Sequence, residues 1–265
     1  MPRANRHFLP GQLWHITHRC HEKSFLFKFV RDRRRYLHWV FKAKKRFGLR
    51  VLNYVVTSNH IHLLVRDTGD GVIAESMQPG RTAQEFNRRK HRQGAFWEDR
   101  YHSTAIEDGE HLQRCLVYID LNMVRAGAVK HPAEWTHGGY REIQNPPERY
   151  TIIDLANLSV SCGFTSVMDF QRAHRLWVDE ALAREAMRRD ARWSEAIAVG
   201  SYDFVEKIKR ELGAKAVHRD VNEAAGAHTL REQQSVYTSD FDTENDMLRP
   251  KNVIPWVENP LITER

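Results

Sequence analysis

Two histidines in the stretch SNHIHLLV, residues 58–65, have a spacing that suits metal binding. Side chains alternate between the two faces of a β-strand, so His60 and His62 project from one face roughly 7 Å apart. Ile61 points the other way, into the predicted core. Imidazole is a common ligand of divalent metal ions. Histidines at this spacing also hydrogen-bond at sheet edges without binding metal, and the pair alone leaves both interpretations open.

A second group of polar side chains follows one side of a predicted helix, GEHLQRCLVYIDLNMVRA, residues 109–126. At about 100° per residue, five polar or ionisable residues fall on one stripe. They are His111, Arg114, Tyr118, Asn122 and Arg125. Apolar residues border this stripe on both sides, which indicates a cleft rather than open solvent. The alternative is that Tyr118 lies at the edge of the core with a hydrogen-bonded hydroxyl.

The elements that would position these side chains alternate between strands and helices. Strands are predicted at residues 12–19, 49–56, 60–66 and 101–107, and helices at 32–47, 81–90 and 109–126. The second and third strands form a hairpin, and Asp108 and Gly127 are the predicted caps of the last helix. This order predicts an α+β fold, an antiparallel sheet with helices on one face.

The composition divides the chain into two regions. Residues 1–147 carry all the elements above and form one predicted domain, and residues 148–265 form a mainly helical C-terminal extension with a polar tail. The net charge is +7, and the first fifty residues contain 14 Lys or Arg against 2 Asp or Glu. Such a concentration of positive charge favours a nucleic-acid partner over a membrane. The alternative is a solvated helix face.

The cysteines and the apolar runs indicate the compartment. The three cysteines, Cys20, Cys115 and Cys162, are odd in number and lack CxxC spacing. This argues against a disulfide framework and against a structural zinc site. No apolar run is long enough to span a bilayer, and the first residues lack a signal peptide. We therefore expect a protein of the reducing cytoplasm.

Three motifs together resemble a known family. NHIHLLV, GAFWEDRYHS and YIDLNMVRAGAV, in this order, are similar to motifs of the REP-associated tyrosine transposases, which are relatives of the single-tyrosine HUH transposases of bacterial insertion sequences. The resemblance covers roughly residues 1–145, and Met123 stands where proline is usual. It implies a ferredoxin-like sheet and a bacterial, nucleoid-associated location.

The resemblance also implies a reaction. The protein would cut and rejoin single-stranded DNA by transesterification, with Tyr118 as the nucleophile and a 5′-phosphotyrosine intermediate. His60 and His62 would bind a divalent metal ion, Mg²⁺ or Mn²⁺, and Asn122 would add an amide oxygen as a third ligand. Arg114, Arg125 or His111 would ease deprotonation of the phenol. The arginines would otherwise contact DNA phosphates or acidic neighbours.

The implied DNA partner is a hairpin of a repetitive extragenic palindrome with a short single-stranded guide. Candidates for backbone contacts are Arg3, Arg6, Arg19, Arg33, Arg34, Arg35, Arg114 and Arg125. Candidates for base stacking are Trp14, Phe96, Trp97 and Tyr101, for which core packing is the alternative. A monomer is expected, with a dimer as the alternative. Two other functions remain open, a domesticated, non-catalytic hairpin-binding protein and an HxH metal phosphoesterase that uses water.

Overall fold

The computed structural model describes residues 8–69, 71–77, 79–184, 189–216, 219–224 and 226–232. Arg3, Arg6 and the part of the predicted polar tail from residue 233 onward lie outside the described residues. Residues up to Glu232 form one compact unit. Within the described ranges, no helix is long and apolar enough to cross a membrane.

The described strands form one seven-stranded sheet in the order β2-β3-β1-β4-β5-β7-β6. Neighbouring strands are antiparallel except β4 and β5, which are parallel. The α+β class and the largely antiparallel sheet are therefore confirmed. The strands are β1 Leu13–Arg19, β2 Arg50–Val56, β3 His60–Arg66, β4 His102–Ile106, β5 Ala198–Gly200, β6 Arg219–Ala224 and β7 Ala227–Glu232.

Helices connect and cover these strands. They are α1 Val30–Phe47, α2 Val72–Ser76, α3 Pro79–Lys90, α4 Glu110–Asp120, α5 Asn122–Arg125, α6 Tyr140–Gln144, α7 Leu155–Ser161, α8 Val167–Ala183, α9 Arg192–Glu195 and α10 Tyr202–Leu212. Short 3₁₀ turns occur at His21–Lys23, Pro132–Glu134 and Gly213–Ala216.

The central strands bury both of their faces. Residues 61–65 of β3 are all buried, as expected of a strand covered on two sides. On one face, the ring of Tyr118 from α4 contacts His62. On the other, His18 stacks on Trp97, which contacts Tyr36 of α1. The helices thus cover both faces of the sheet, whereas one covered face was expected, because the continuous apolar run of β3 needs cover on each side.

The region after residue 147 contributes strands as well as helices. Helices α7 to α10 agree with the expected helical character, but β5, β6 and β7 extend the sheet from its β4 edge. The short β5, with the sequence AVG, carries no alternation that would have predicted a strand. The boundary near residue 147 stays a prediction.

Helix α4 differs from its predicted form at both ends. It begins after Gly109 without a side-chain cap, and Asp108 instead pairs with Arg66. It ends at Asp120, and after Leu121 the chain continues as the short α5, which ends before Gly127 at a positive φ of 66°. The predicted cap at Asp108 is wrong because its carboxylate bonds to a guanidinium of β3.

A buried polar network fixes the orientation of α4. The Asp120 carboxylate accepts hydrogen bonds from Asn53 Nδ2 at 3.1 Å and from His174 Nε2 at 2.8 Å. Asp120 and His174 are both buried, so an unpaired carboxylate there would be costly. These bonds connect α4 to β2 and α8 and hold Tyr118 over β1 and β3.

Candidate active site

His60 and His62 lie together at the start of β3, with ring centroids 5.0 Å apart. His60 Nδ1 is 2.7 Å from Asn59 Oδ1 and 3.0 Å from Thr57 Oγ1. Because an amide oxygen only accepts hydrogen bonds, Nδ1 of His60 carries the proton. The Nε2 atom of His60 is then unprotonated and able to bind a cation.

His62 also has an unprotonated Nε2 atom. Its Nε2 atom is 3.0 Å from the Asn122 side-chain nitrogen, which donates because an amide nitrogen carries hydrogens and no free lone pair. His60 also hydrogen-bonds to the Asn122 side chain. Burial lowers the pKa of His60 to about 4 and the pKa of His62 well below its ordinary value. Both imidazoles are therefore neutral at pH 7, the form that binds metals.

The three side chains fit a divalent metal ion. Both imidazoles hydrogen-bond to one amide, and a turn of that amide by 180° presents its oxygen in place of its nitrogen. Within the described ranges, no group of three or more His, Cys, Asp or Glu side chains could hold a metal ion. The candidate ligands are thus two histidines and an asparagine, which leaves coordination positions open for a substrate.

Tyr118 lies against this pair of histidines. Its ring is edge-on to those of His62 and His15, at centroid distances of 5.9 and 6.1 Å. The Tyr118 phenol hydrogen-bonds to the Ser194 hydroxyl. Burial raises the pKa of Tyr118, and the Arg125 guanidinium, 4.2 Å from the ring centroid, acts in the opposite direction. The phenol is protonated at neutral pH and must lose its proton to act as a nucleophile.

One open cleft contains the tyrosine, both histidines and the asparagine. Four arginines from four separate parts of the described chain also line it. They are Arg19, Arg100, Arg125 and Arg189, with Glu98, Asp99 and Glu195 as acidic neighbours. Such a basic lining suits a phosphate-bearing substrate.

The predicted polar stripe of the helix divides in the structure. Tyr118, Asn122 and Arg125 line the cleft. Arg114 pairs with Glu110 one turn earlier, and His111 is 3.5 Å from Glu107. Arg114 therefore contacts an acidic neighbour, which was one of the interpretations for these arginines. Arg125 instead lies against the Tyr118 ring.

The neighbouring arginines that were predicted to contact DNA phosphates lie in different environments. Arg33 is buried, donates to the carbonyls of Phe27 and Lys28, and lies over the Trp135 ring. Its guanidinium therefore stabilises the chain before α1 and is not presented to a ligand. Arg34 and Arg35 line a groove between α1 and α3, where Arg35 pairs with Glu85 at 2.6 Å.

Three of the four predicted stacking aromatics lie in the core. Trp14, Phe96 and Tyr101 are each 2% exposed. Their faces are covered by protein and are not available to bases, which agrees with the core-packing alternative. Trp97 is half-buried and stacks on His18 with ring centroids 3.8 Å apart.

Sequence reasoning missed two contributions to the site. His15 on β1 hydrogen-bonds to His62, and the pattern WHITH could have revealed it, since His15 shares the face of Thr17, the partner of His62. The segment 189–195 adds Arg189 and Ser194 to the cleft. No local pattern predicts this role, because the segment lies some seventy residues after Tyr118 in the sequence and meets it only in the folded protein.

A family model matches the part of the chain that contains this site. Residues 11–122 match the model of the family described as Transposase IS200 like. His60, His62, Tyr118 and Asn122 all fall within the matched residues, so the resemblance to single-tyrosine transposases is confirmed for this part of the chain.

A solved structure also matches part of the chain. It is described as the structure of a REP-associated tyrosine transposase bound to a REP hairpin, with a TM-score of 0.45 and 19% sequence identity. The match covers 58% of this chain and 94% of that chain. No curated protein is significantly similar to the chain.

Proposed function

We propose that this protein is a metal-dependent single-stranded DNA endonuclease and strand transferase that acts at REP-type hairpins through a covalent 5′-phosphotyrosine. The observation that carries the proposal is the common cleft, which brings the phenol of Tyr118 together with His60, His62 and Asn122. The family match to IS200-like transposases supports the reaction class. The hairpin as substrate rests on the sequence motifs.

In the proposed reaction, the Tyr118 oxygen forms a bond to the scissile phosphorus and the bond from phosphorus to the 3′ oxygen breaks. The phenol loses its proton, the departing 3′ oxygen gains one, and the DNA 5′ end stays joined to the protein. One phosphodiester replaces another, so a 3′ hydroxyl can reverse the step without ATP. A divalent ion held by His60, His62 and Asn122 would polarise the phosphate.

The arginines of the cleft would act on charge and position. Arg125 lies over the Tyr118 ring and favours the phenolate. Arg19 is paired in register with His60 at the end of β1, where it would hold a phosphate beside the metal site. The groove with Arg31, Arg34 and Arg89 would contact the backbone of the hairpin outside the cleft.

A cleavage assay with DNA labelled at either end tests the proposal. The substrate is an oligonucleotide with a hairpin and a short 5′ single strand, incubated with Mn²⁺ or with EDTA. We expect a 5′-labelled fragment ending in a 3′ hydroxyl, and a 3′-labelled fragment that migrates with the protein on a denaturing gel. EDTA and His62→Ala should abolish both, while hairpin binding persists.

Two outcomes would contradict the proposal. Good hairpin binding without cleavage in Mn²⁺ would support the non-catalytic interpretation. Cleavage products without any protein-linked fragment would support the metal phosphoesterase, which uses water as its nucleophile.

A further inference from the structure

A chain of hydrogen bonds joins the C-terminal region to one of the metal-binding histidines. The Trp193 backbone carbonyl is 2.7 Å from His15 Nδ1. His15 Nε2 is 2.9 Å from His62 Nδ1, and His62 Nε2 is 3.0 Å from the Asn122 amide nitrogen. The His15 and His62 rings are nearly coplanar, with an interplanar angle of 13° and centroids 5.0 Å apart, as expected of rings hydrogen-bonded edge to edge. His15 is completely buried.

The groups at the two ends of this series of hydrogen bonds, a backbone carbonyl and an amide nitrogen, fix where each proton lies. A carbonyl oxygen only accepts, so His15 donates from Nδ1 to Trp193. His15 is completely buried between a carbonyl and a second imidazole, where an uncompensated charge would be costly, so its ring is neutral and Nε2 is an acceptor. The bond between the two histidines then requires the proton to be on His62 Nδ1. This leaves His62 Nε2 unprotonated, as its contact with the Asn122 amide nitrogen also requires.

We propose that His15 is a positioning residue which, anchored by the Trp193 carbonyl, holds His62 in the tautomer whose Nε2 is free to bind a divalent cation. This inference rests on the proposed metal-dependent function. Partners of the second imidazole nitrogen commonly set the orientation and basicity of a metal-ligating histidine. Both nitrogens of His15 are already engaged, so His15 does not bind the ion itself.

The anchor comes from a part of the chain that lies outside the family match. The match ends at residue 122, whereas Trp193 lies in α9. Two side chains of β4 hold the end of α9, since Thr104 Oγ1 and His102 Nε2 lie 2.7 and 2.9 Å from the Ala196 carbonyl. The Trp193 ring also lies beside Tyr118, at 6.2 Å between centroids. The C-terminal region therefore sets the state of a histidine in the matched domain.

The most direct test needs no metal and no variant. In protein labelled with ¹⁵N-histidine, two-bond proton–nitrogen correlation spectra distinguish the two neutral tautomers of each imidazole. We expect His62 to be protonated at Nδ1 and His15 also at Nδ1. A spectrum with His62 protonated at Nε2 would overturn the proposal, whatever the protein does with DNA.

Two variants then connect the tautomer to metal binding. His15→Phe keeps an aromatic ring beside His62 but removes the acceptor, and we expect it to weaken Mn²⁺ binding roughly 10- to 100-fold. The spectrum of His62 should change at the same time. His15→Gln restores an acceptor oxygen and should recover part of the Mn²⁺ affinity.

His137→Phe is the matched control. His137 is also buried, but it lies against Trp135 and does not line the cleft. We expect this variant to leave the His62 tautomer and the Mn²⁺ affinity unchanged. An unchanged His62 tautomer and unchanged Mn²⁺ affinity in His15→Phe would overturn the proposal. Failure of the wild-type protein to bind Mn²⁺ would instead contradict the proposed function, and the tautomer of His62 would still decide the role of His15.

Discussion

Removal of the Arg125 charge should slow DNA cleavage by changing the ionisation of Tyr118. The Arg125 guanidinium lies 4.2 Å from the ring centroid and opposes the effect of burial on the phenol pKa. Two unit charges at about 4 Å attract by about 4 kcal/mol at an effective dielectric near 20, which sets the upper limit. Because the cation lies over the ring and borders an open cleft, we expect about 1.4 to 2.8 kcal/mol, or roughly a 10- to 100-fold lower rate in Arg125→Gln.

The direction in which the pH–rate profile of Arg125→Gln moves tests this cause. The phenolate is the reactive form, so the rate rises with pH on the limb below the pKa of Tyr118. Loss of the arginine raises that pKa further, and the limb should move to higher pH. Arg125→Lys keeps the charge and should move it less.

Arg114→Gln is the matched control for this prediction. Arg114 is on the same helix region but pairs with Glu110 and does not line the cleft. Its pH–rate profile, measured by single-turnover cleavage of a labelled oligonucleotide, should match that of the wild type. The reasoning is refuted if Arg125→Gln leaves the limb in place, or if both variants move it equally.

Three further predictions concern the metal ligands and the basic residues. Asn122→Ala should weaken Mn²⁺ binding measured by calorimetry, whereas Asn122→Asp, which keeps an oxygen ligand, should not; equal losses in both would contradict a ligand role. Arg33→Met should lower the free energy of unfolding by about 1–3 kcal/mol, because two carbonyls lose their donor, and should leave hairpin affinity unchanged. Substitution of the exposed Arg34, as Arg34→Met, should instead weaken hairpin binding and reduce its salt dependence. The reverse pattern would assign Arg33 to DNA. Burial lowers the pKa of His15 to about 3 and the pKa of His60 to about 4, so below about pH 6.5 the unfolded chain binds protons that the folded chain does not. In urea titrations, each histidine should lower the free energy of unfolding by about 1.4 kcal/mol per pH unit as the pH falls from about 6 to 4.5. A free energy of unfolding that is independent of pH across this range would contradict their burial.

The sequence was sufficient for the residues that local periodicity controls. Alternation in β3 places His60 and His62 on one face, and helical periodicity places Tyr118 and Asn122 on the same side of their helix region. The break at Leu121 was not predicted, yet Asn122 still reaches His62, because helical hydrogen bonding resumes at once, with Arg125 N donating to the Leu121 carbonyl at 2.9 Å. These features depend on short-range geometry, which a sequence pattern records directly.

The sequence was insufficient where a side chain's role depends on distant partners. Arg33 and Arg34 are adjacent and chemically identical, yet one bonds buried carbonyls and the other is exposed. Trp193 and Ser194 contribute to the site from a four-residue helix whose position depends on bonds to β4. Their roles appear only when strands far apart in the chain are in register.

The central claim is that Tyr118 is the nucleophile of a metal-dependent DNA cleavage reaction, and peptide mapping of the covalent adduct tests it most directly. The wild-type protein, Tyr118→Phe and Tyr140→Phe are incubated with a REP-type oligonucleotide and Mn²⁺, digested, and analysed by mass spectrometry. Tyr140 is the matched control because it is a buried tyrosine that does not line the cleft. We expect a nucleotide-linked peptide that contains Tyr118 in the wild-type protein and in Tyr140→Phe, and none in Tyr118→Phe. An adduct on another residue, or one that persists in Tyr118→Phe, would contradict the account.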